Sequence, residues 1–113
     1  MKPEFIPYAR HMIDQQDIDA VVRVLQGDWL TCGPVLDQFE QKLAKTVGAK
    51  DVVACSNGTA ALHLALLGIG VNPGDVVLVP AITFLASANA VKYVGGEVIF
   101  VDVDPNTGLM TTE

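Results

Sequence analysis

The stretch Ser56-Asn57-Gly58-Thr59-Ala60-Ala61 brings two hydroxyls, an amide and a glycine directly behind the apolar run Val52-Val53-Ala54-Cys55. Where a strand runs straight into a helix, the first-turn N–H groups have no intrahelical partner, and the aligned peptide dipoles favour an anion there. The pattern predicts a phosphate site at this turn. A plainer reading stays open beside it, in which Ser56 or Asn57 simply caps the helix. Gly58 favours the anion: glycine costs a helix interior up to about 1 kcal/mol against alanine, less in the first turn, and its missing side chain lets an anion approach the backbone. Other phosphate motifs fit less well. The sequence has no G-x-x-x-x-G-K-[ST], and Gly68-Ile69-Gly70-Val71-Asn72-Pro73 carries proline at the third glycine position and follows a helix instead of a strand.

Ligands of open α/β sheets collect at the carboxyl ends of strands, which directs attention to two further junctions. At Pro80-Ala81-Ile82-Thr83-Phe84, Thr83 is the expected N-cap and Phe84 starts the next helix. The Phe84 ring then either forms a flat wall for an aromatic ligand or packs in the core. At the third junction Asp102 and Asp104 offer a metal or acid-base pair, or else a polar turn with Asn106 and Gly108. His63 lies within an apolar helix and reads as a packed histidine with one hydrogen bond. His11 carries no signal. None of Lys2, Lys42, Lys45, Lys50 and Lys92 follows a strand at a ligand junction, so none is a Schiff-base candidate. Cys32 and Cys55 lack metal-ligand spacing and read as reduced thiols of a cytosolic protein, with a structural disulfide as the alternative. No metal site is expected.

The elements that must position these residues follow from periodicity. Ile18, Val21, Val22 and Leu25 recur at helical spacing within 14–26, with Asp14 and Asp17 early and Gly27 after the end. Pro34 opens a second helix with an expected buried stripe of Leu36, Phe39, Leu43 and Val47, closed by Gly48. Short apolar runs and helices then alternate: strand 52–55, helix 59–67, strand 76–79, helix 84–94 and strand 98–101. That alternation is the mark of an α/β sheet. The two later strands are apolar at every position, so helices are expected on both faces, as in a three-layer sandwich. Asn72-Pro73-Gly74-Asp75 and Gly95-Gly96 supply the breaks.

Composition narrows the partners. Half of the 113 residues are apolar, enough for a core of ordinary domain size, and 7 basic against 13 acidic residues give a net charge of -6. Nucleic acid and anionic membranes are poor partners for such a chain; small molecules or proteins are better. The amino terminus has no signal-peptide pattern, and no apolar run approaches the roughly 18 residues of a membrane span. The expectation is a soluble, cytoplasmic protein.

Taken in order, Ile6-Pro7-Tyr8, Gly27-Asp28-Trp29-Leu30-Thr31-Cys32-Gly33-Pro34, Phe39-Glu40, Ser56 to His63, Pro73-Gly74-Asp75, Pro80 to Ala90 and Val101 to Asp104 resemble the DegT/StrS family of pyridoxal-phosphate-dependent nucleotide-sugar aminotransferases. The resemblance spans essentially the whole chain. It implies an α/β fold, the N-terminal part of the aspartate-aminotransferase-type (fold type I) large domain, a three-layer α/β/α arrangement. Residues 1–113 would form a single incomplete domain: 1–48 a helical N-terminal segment and 49–113 the start of the cofactor-binding large domain.

By the same resemblance Gly58, Thr59 and Ala60 bind the phosphate of pyridoxal phosphate, Phe84 stacks on its pyridine ring, and Tyr8 and Thr31 lie near the sugar. The family more often has Asn-Ser-Gly or Asn-Ser-Ala where this chain has Ser56-Asn57-Gly58, which leaves the backbone cradle possible. The implied reaction is a ping-pong transfer of an amino group, usually from glutamate, to a keto-sugar nucleotide, the cofactor passing through its pyridoxamine form, in a cytoplasmic homodimer. The substrate-side residues look most like enzymes acting on a UDP-linked 4-keto-6-deoxy-N-acetylhexosamine. The family's lysine and the acidic partner of the pyridinium are expected beyond residue 113, so the 113 residues alone are expected to be inactive. A sugar dehydratase of the same fold, with histidine for the lysine, and a non-catalytic phosphate-binding α/β module are the alternatives.

Overall fold

Reciprocal capping starts the first helix of the computed structural model, which describes residues 5–111. Asp14 accepts from the N–H groups of Gln16 and Asp17 at 2.8 and 3.1 Å, while Asp17 accepts from the N–H of Asp14 at 3.1 Å. The helix α1 spans Gln15–Leu25. With two orphan donors satisfied from one side and one from the other, the capping box defines its start. Helix α2 spans Pro34–Val47, opened by proline at its first position and closed by Gly48 in the left-handed conformation.

The chain divides between Ala54 and Cys55 into two compact units. In the first, both predicted helices form, but their apolar stripes are less buried than expected. Ile18, Val21, Val22 and Leu25 are exposed, as are Leu36, Phe39 and Val47; Ala44 is the buried residue of α2. Leu36 and Phe39 face an open cleft, not a closed core, and among the described residues of this unit Ile18, Val21, Val22, Leu25 and Val47 are left uncovered. That cleft, of about 510 Å³, is lined by Val24, Trp29, Leu30 and Pro34 as well.

The predicted strand at 52–55 is absent as a strand. Residues 51–55 do alternate exposed and half-buried, with a period of two. No other strand among the described residues pairs with them, and a strand is defined by its ladder.

The second unit begins with α3, Gly58–Gly68, and continues through β1, Val76–Pro80, α4, Ala86–Tyr93, and β2, Glu97–Val101. β1 and β2 pair in parallel from Val76 opposite Glu97 to Pro80 opposite Val101. Bonds from Glu97 N–H to Asp75 O and from Ala81 N–H to Val101 O, both 2.8 Å, extend the ladder at each end. Parallel strands need a crossover, and α4 supplies it. Its Ala86, Ala90 and Val91 are buried, with Val79 of the sheet. α3 packs on α4 in turn.

Helices do not cover both faces of these strands among the described residues. Val76 and Leu78 of β1 and Ile99 of β2 are about half exposed. α4 lies against one face only, and in paired strands alternate residues point to the other. Helix α4 also begins later than expected, at Ala86. Thr83 is not its cap: because the ladder continues to Ala81, the chain leaves the sheet too late for Thr83 to sit at the helix start. Its hydroxyl lies 3.0 Å from that of Ser87 instead.

The return from α4 to β2 is tight. Gly95 has φ +84°, and a Cβ on Gly96 would come within 2.9 Å of Val91 Cγ1 and 3.2 Å of Val71 Cγ1. Gly96→Ala should lower stability of the protein carrying this chain by about 1–3 kcal/mol, as overpacking of a closed site does; denaturant melts measure it. The 113-residue chain expressed alone should self-associate through its uncovered apolar faces, and a soluble monomer with a cooperative melt would contradict this.

Candidate functional site

Asn57 decides the geometry of the predicted anion turn. It is the N-cap of α3, in an extended conformation, and its side-chain oxygen accepts from Ala60 N–H at 2.8 Å. Its carbonyl accepts from Ala61 N–H at 3.1 Å. Of the first-turn donors, Ala60 and Ala61 are thus engaged. Among the described residues the N–H groups of Gly58 and Thr59 have no acceptor. A Cβ placed on Gly58 would meet nothing within 4 Å, so the turn is open where an anion would approach.

The cap reading is met, by Asn57, and the anion reading is left with the donors that the cap does not use. Asn57 is a cap, and two free donors remain at the positive end of an eleven-residue helix. Ser56 reaches only Asn57, whose side-chain nitrogen lies 3.3 Å from its hydroxyl. Of the three residues expected to form the cradle, Ala60 has its N–H held by Asn57, and Gly58 and Thr59 have theirs without an acceptor.

Phe84 lies in the segment between β1 and α4 and is 77% exposed, which removes core packing as its role within the described chain. Its carbonyl accepts from Ser87 N–H at 3.0 Å and so begins the turn into α4. Tyr8 and Thr31, the sugar-side candidates, lie in the first unit, both exposed. His63 is half-buried with its ring centroid 5.3 Å from that of Tyr93. The expected hydrogen bond is replaced by this tilted aromatic contact. Lys92 donates to Gly96 O at 3.2 Å, a bond that ties down the α4–β2 turn. Both cysteines are free thiols.

The third junction is a polar turn. Asp104 accepts from the N–H groups of Asn106 and Thr107 at 2.8 Å each, and Gly108 takes φ +69°. The N–H of Thr107, then that of Asn106, holds the Asp104 carboxyl below its ordinary range. Among the described residues no three carboxylates, histidines or cysteines gather as a metal would require.

One polar contact has no counterpart in the sequence reading. Glu40 Oε1 accepts from Ala54 N–H at 2.7 Å across fourteen residues, and both residues are half-buried. Glu40 belonged to the family resemblance, but neither periodicity nor a local motif could assign it a partner so far along the chain.

A helix N-terminus with two free donors is a generic anion site, and geometry alone assigns it no ligand. Residues 11–113 match the DegT/DnrJ/EryC1/StrS aminotransferase family. The chain belongs to that family. It is 41% identical over 111 residues to the UDP-4-amino-4-deoxy-L-arabinose–oxoglutarate aminotransferase of Shewanella sediminis, covering 98% of this chain and 28% of the relative. It is 42% identical over 103 residues to the spore coat polysaccharide biosynthesis protein SpsC of Bacillus subtilis, covering 91% and 26%.

Among solved structures, the Streptococcus pneumoniae protein Spr1654, named for a sugar aminotransferase and solved in its PLP form, superposes with a TM-score of 0.86 at 35% identity. That match covers 93% of this chain and 27% of Spr1654. The Escherichia coli GDP-4-keto-6-deoxy-D-mannose-3-dehydratase with bound hydrated PLP gives 0.85 at 30%, covering 93% and 28%. These likenesses establish the α/β fold of the PLP-dependent sugar aminotransferases. The chain spans a little over a quarter of the length of the relatives it matches.

The Asp104 turn makes a pH prediction. A depressed carboxyl pKa means that the folded turn binds its proton less readily than the unfolded chain. Its contribution is complete above the ordinary carboxylate range and is lost as pH falls through the lowered value. NMR titration of the Asn106 and Thr107 amides should show this, and Asp104→Ala should abolish the titrating step.

Proposed function

We propose that this chain forms part of a pyridoxal-phosphate-dependent enzyme that transfers an amino group, from a donor such as glutamate, to a keto-sugar nucleotide. The observation that carries the reading is the open turn at Gly58 and Thr59, with two free N–H donors at the start of α3, in a member of a sugar aminotransferase family. The cofactor requires an anion cradle and an aromatic wall. The residues fit: Gly58 and Thr59 offer donors and open space, Thr59 adds a hydroxyl, and Phe84 offers an exposed ring.

Each residue has a separate task in this reading. The N–H groups of Gly58 and Thr59 and the Thr59 hydroxyl hold the phosphate; Ala60 N–H joins them when Asn57 turns away. Phe84 stacks on the pyridine ring. Tyr8 and Thr31 face the sugar nucleotide. Pyridoxal phosphate, when bound, supplies the electron sink for amino-group transfer. The lysine and the acidic partner of its ring nitrogen belong to the portion of the relatives' length that this chain does not span. A cytoplasmic homodimer is the expected working form. Substrate class extends to the UDP-linked keto-sugars suggested by the arabinose relative and by the 4-keto-6-deoxy-N-acetylhexosamine resemblance.

The likeness to the dehydratase with bound hydrated PLP supports a second reading in the same fold, removal of water from a keto-sugar nucleotide. Product analysis with the full-length protein separates the two: an aminated sugar supports transamination, and a deoxy-keto sugar without nitrogen supports the dehydratase.

Two substitutions in the full-length protein test the cradle. A Cβ at position 58 meets nothing within 4 Å, so Gly58→Val should leave the fold intact, whereas retention of pyridoxal phosphate should be lost. Asn57→Asp preserves the cap, and a carboxylate at a helix N-terminus is stabilising by about 0.3–1 kcal/mol. It should nevertheless weaken cofactor binding tenfold or more by placing a negative charge beside the phosphate. Unchanged binding in both variants, measured by equilibrium dialysis, would reduce the turn to a helix cap.

A further inference from the structure

Phe84 stands on the short connection between β1 and α4, and whatever fixes that connection decides where its ring can stand. The sheet holds one end: Ala81 N–H donates to Val101 O at 2.8 Å, the last bond of the β1–β2 ladder. Helix α4 holds the other, seated by its buried Ala86, Ala90 and Val91. The cap position of α4 is Leu85, whose side chain can accept no hydrogen bond. The tie comes instead from inside the first turn, at Ser87. Its N–H donates to Phe84 O at 3.0 Å, and its hydroxyl lies 3.0 Å from the Thr83 hydroxyl, within hydrogen-bond distance. Phe84 is thereby bracketed, by a bond on its own carbonyl and by a pair of hydroxyls that closes around it from Thr83 to Ser87.

From these observations we infer that Thr83 and Ser87 form a positioning pair for the aromatic wall. Ser87 is the fixed member: it is half-buried and directly follows the buried Ala86. Thr83 is exposed and lies on the connection, and among the described residues its hydroxyl has Ser87 as its partner. Holding Thr83 restrains the peptide that enters Phe84, and the carbonyl bond restrains the one that leaves it. Together they set the direction of the Phe84 Cα–Cβ bond and leave the ring only its own side-chain rotations. A ring that stacks on a flat ligand gains from being placed beforehand, since ordering a loop at the moment of binding costs affinity. Both bonds lie within Thr83 to Ser87, inside the second unit, so they belong to the local sequence. The inference rests on the reading of Phe84 as the wall for the cofactor's ring, and neither hydroxyl touches cofactor or substrate in it.

The test uses the full-length protein, with pyridoxal phosphate titrated by equilibrium dialysis and the visible circular dichroism of the bound cofactor recorded at saturation. Thr83→Val keeps the side-chain shape and removes one hydroxyl; Ser87→Ala removes the other. Each should raise half-saturation about threefold to tenfold, the range of one neutral hydrogen bond. Each should also change the dichroism, which reports how the cofactor ring is held. Thr83→Ser keeps the hydroxyl and should return both readings to near those of the parent. The double variant should bind no more than about twofold weaker than either single one, because a bond lost once cannot be lost again. Thermal melts should move little, since Thr83 is exposed and alanine favours a helix over serine.

Additive losses in the double variant would overturn the inference, as would unchanged affinity and dichroism in Thr83→Val. A lowered melting temperature with binding intact would also overturn it, by reducing the pair to a brace for the helix start. Phe84→Leu separates the inference from the reading beneath it. If Phe84→Leu weakens cofactor binding and Thr83→Val does not, the wall stands and the positioning pair falls. If Phe84→Leu leaves binding unchanged, the wall itself falls and the pair with it. Where both weaken binding, adding Thr83→Val to Phe84→Leu should cost nothing further, because the pair acts through the ring; a further loss would show that Thr83 acts elsewhere and would sink the inference.

Discussion

The second unit depends on how closely α4 can approach its neighbours. Two parallel strands joined by a crossover are held in register only if the connecting helix lies down on them, and a short helix of eight residues has little surface with which to do so. Ala86 and Ala90 solve this by being small: they let the α4 backbone come near the sheet, and Val91 fills the remaining space beside Val79. The same economy of volume explains Gly96, where any side chain would strike Val91. Because α3 packs on α4, the turn that starts α3 is attached to a helix held by the buried Ala86, Ala90 and Val91 of α4. Phe84 has the same origin, standing on the short connection that leaves β1 and enters α4.

Element type was legible in the sequence wherever the signal was local. The caps of α1, the proline and glycine that bound α2, the alternation of strand and helix after residue 58 and the breaks at Asn72-Pro73-Gly74 and Gly95-Gly96 all depend on neighbours a few residues away. What was not legible depends on partners far along the chain or outside the described residues. Val52 to Cys55 has the composition and the two-residue alternation of a strand, and lacks only a ladder. Ile18, Leu36, Phe39 and Ile99 are apolar as a buried stripe should be, yet periodicity says which face is apolar and never what covers it. At Thr83 the error was one of register: the sheet continued to Ala81, and the helix start moved past the residue best suited to cap it.

The candidate site divides along the same line. That the turn at Ser56 to Ala60 would present helix-end donors follows from a strand-like run meeting a helix, which needs no tertiary knowledge. That Asn57, not Ser56, supplies the cap could not be chosen from composition, because both residue types perform that role. Glu40 was beyond reach altogether, since a carboxylate in mid-helix ordinarily faces water and only the fold brings the Ala54 peptide to it. Only under the proposed function does the turn acquire a particular anion; neither local pattern nor geometry contains its identity.

Asn57 raises the question of whether a capped helix end can still serve an anion, and the magnitudes settle it. An N-cap side chain is worth about 1 kcal/mol to a helix. A hydrogen bond from a backbone N–H to a charged acceptor contributes about 1.5–3 kcal/mol. A phosphate arriving at Gly58 and Thr59 would therefore meet two donors that need only give up water, with no protein acceptor to displace. It can also claim the Ala60 N–H at a net gain if the Asn57 side chain swings out, since the amide that leaves is the weaker acceptor. Until then Asn57 keeps the first turn of α3 wound and its donors aligned. An uncapped turn would fray, and its N–H groups would have to be reordered at the moment of binding, which weakens any cradle built from them. Under the proposed function the cap and the anion site would thus be successive uses of the same helix end, and the side chain that stabilises the turn would be the one best placed to yield to the ligand.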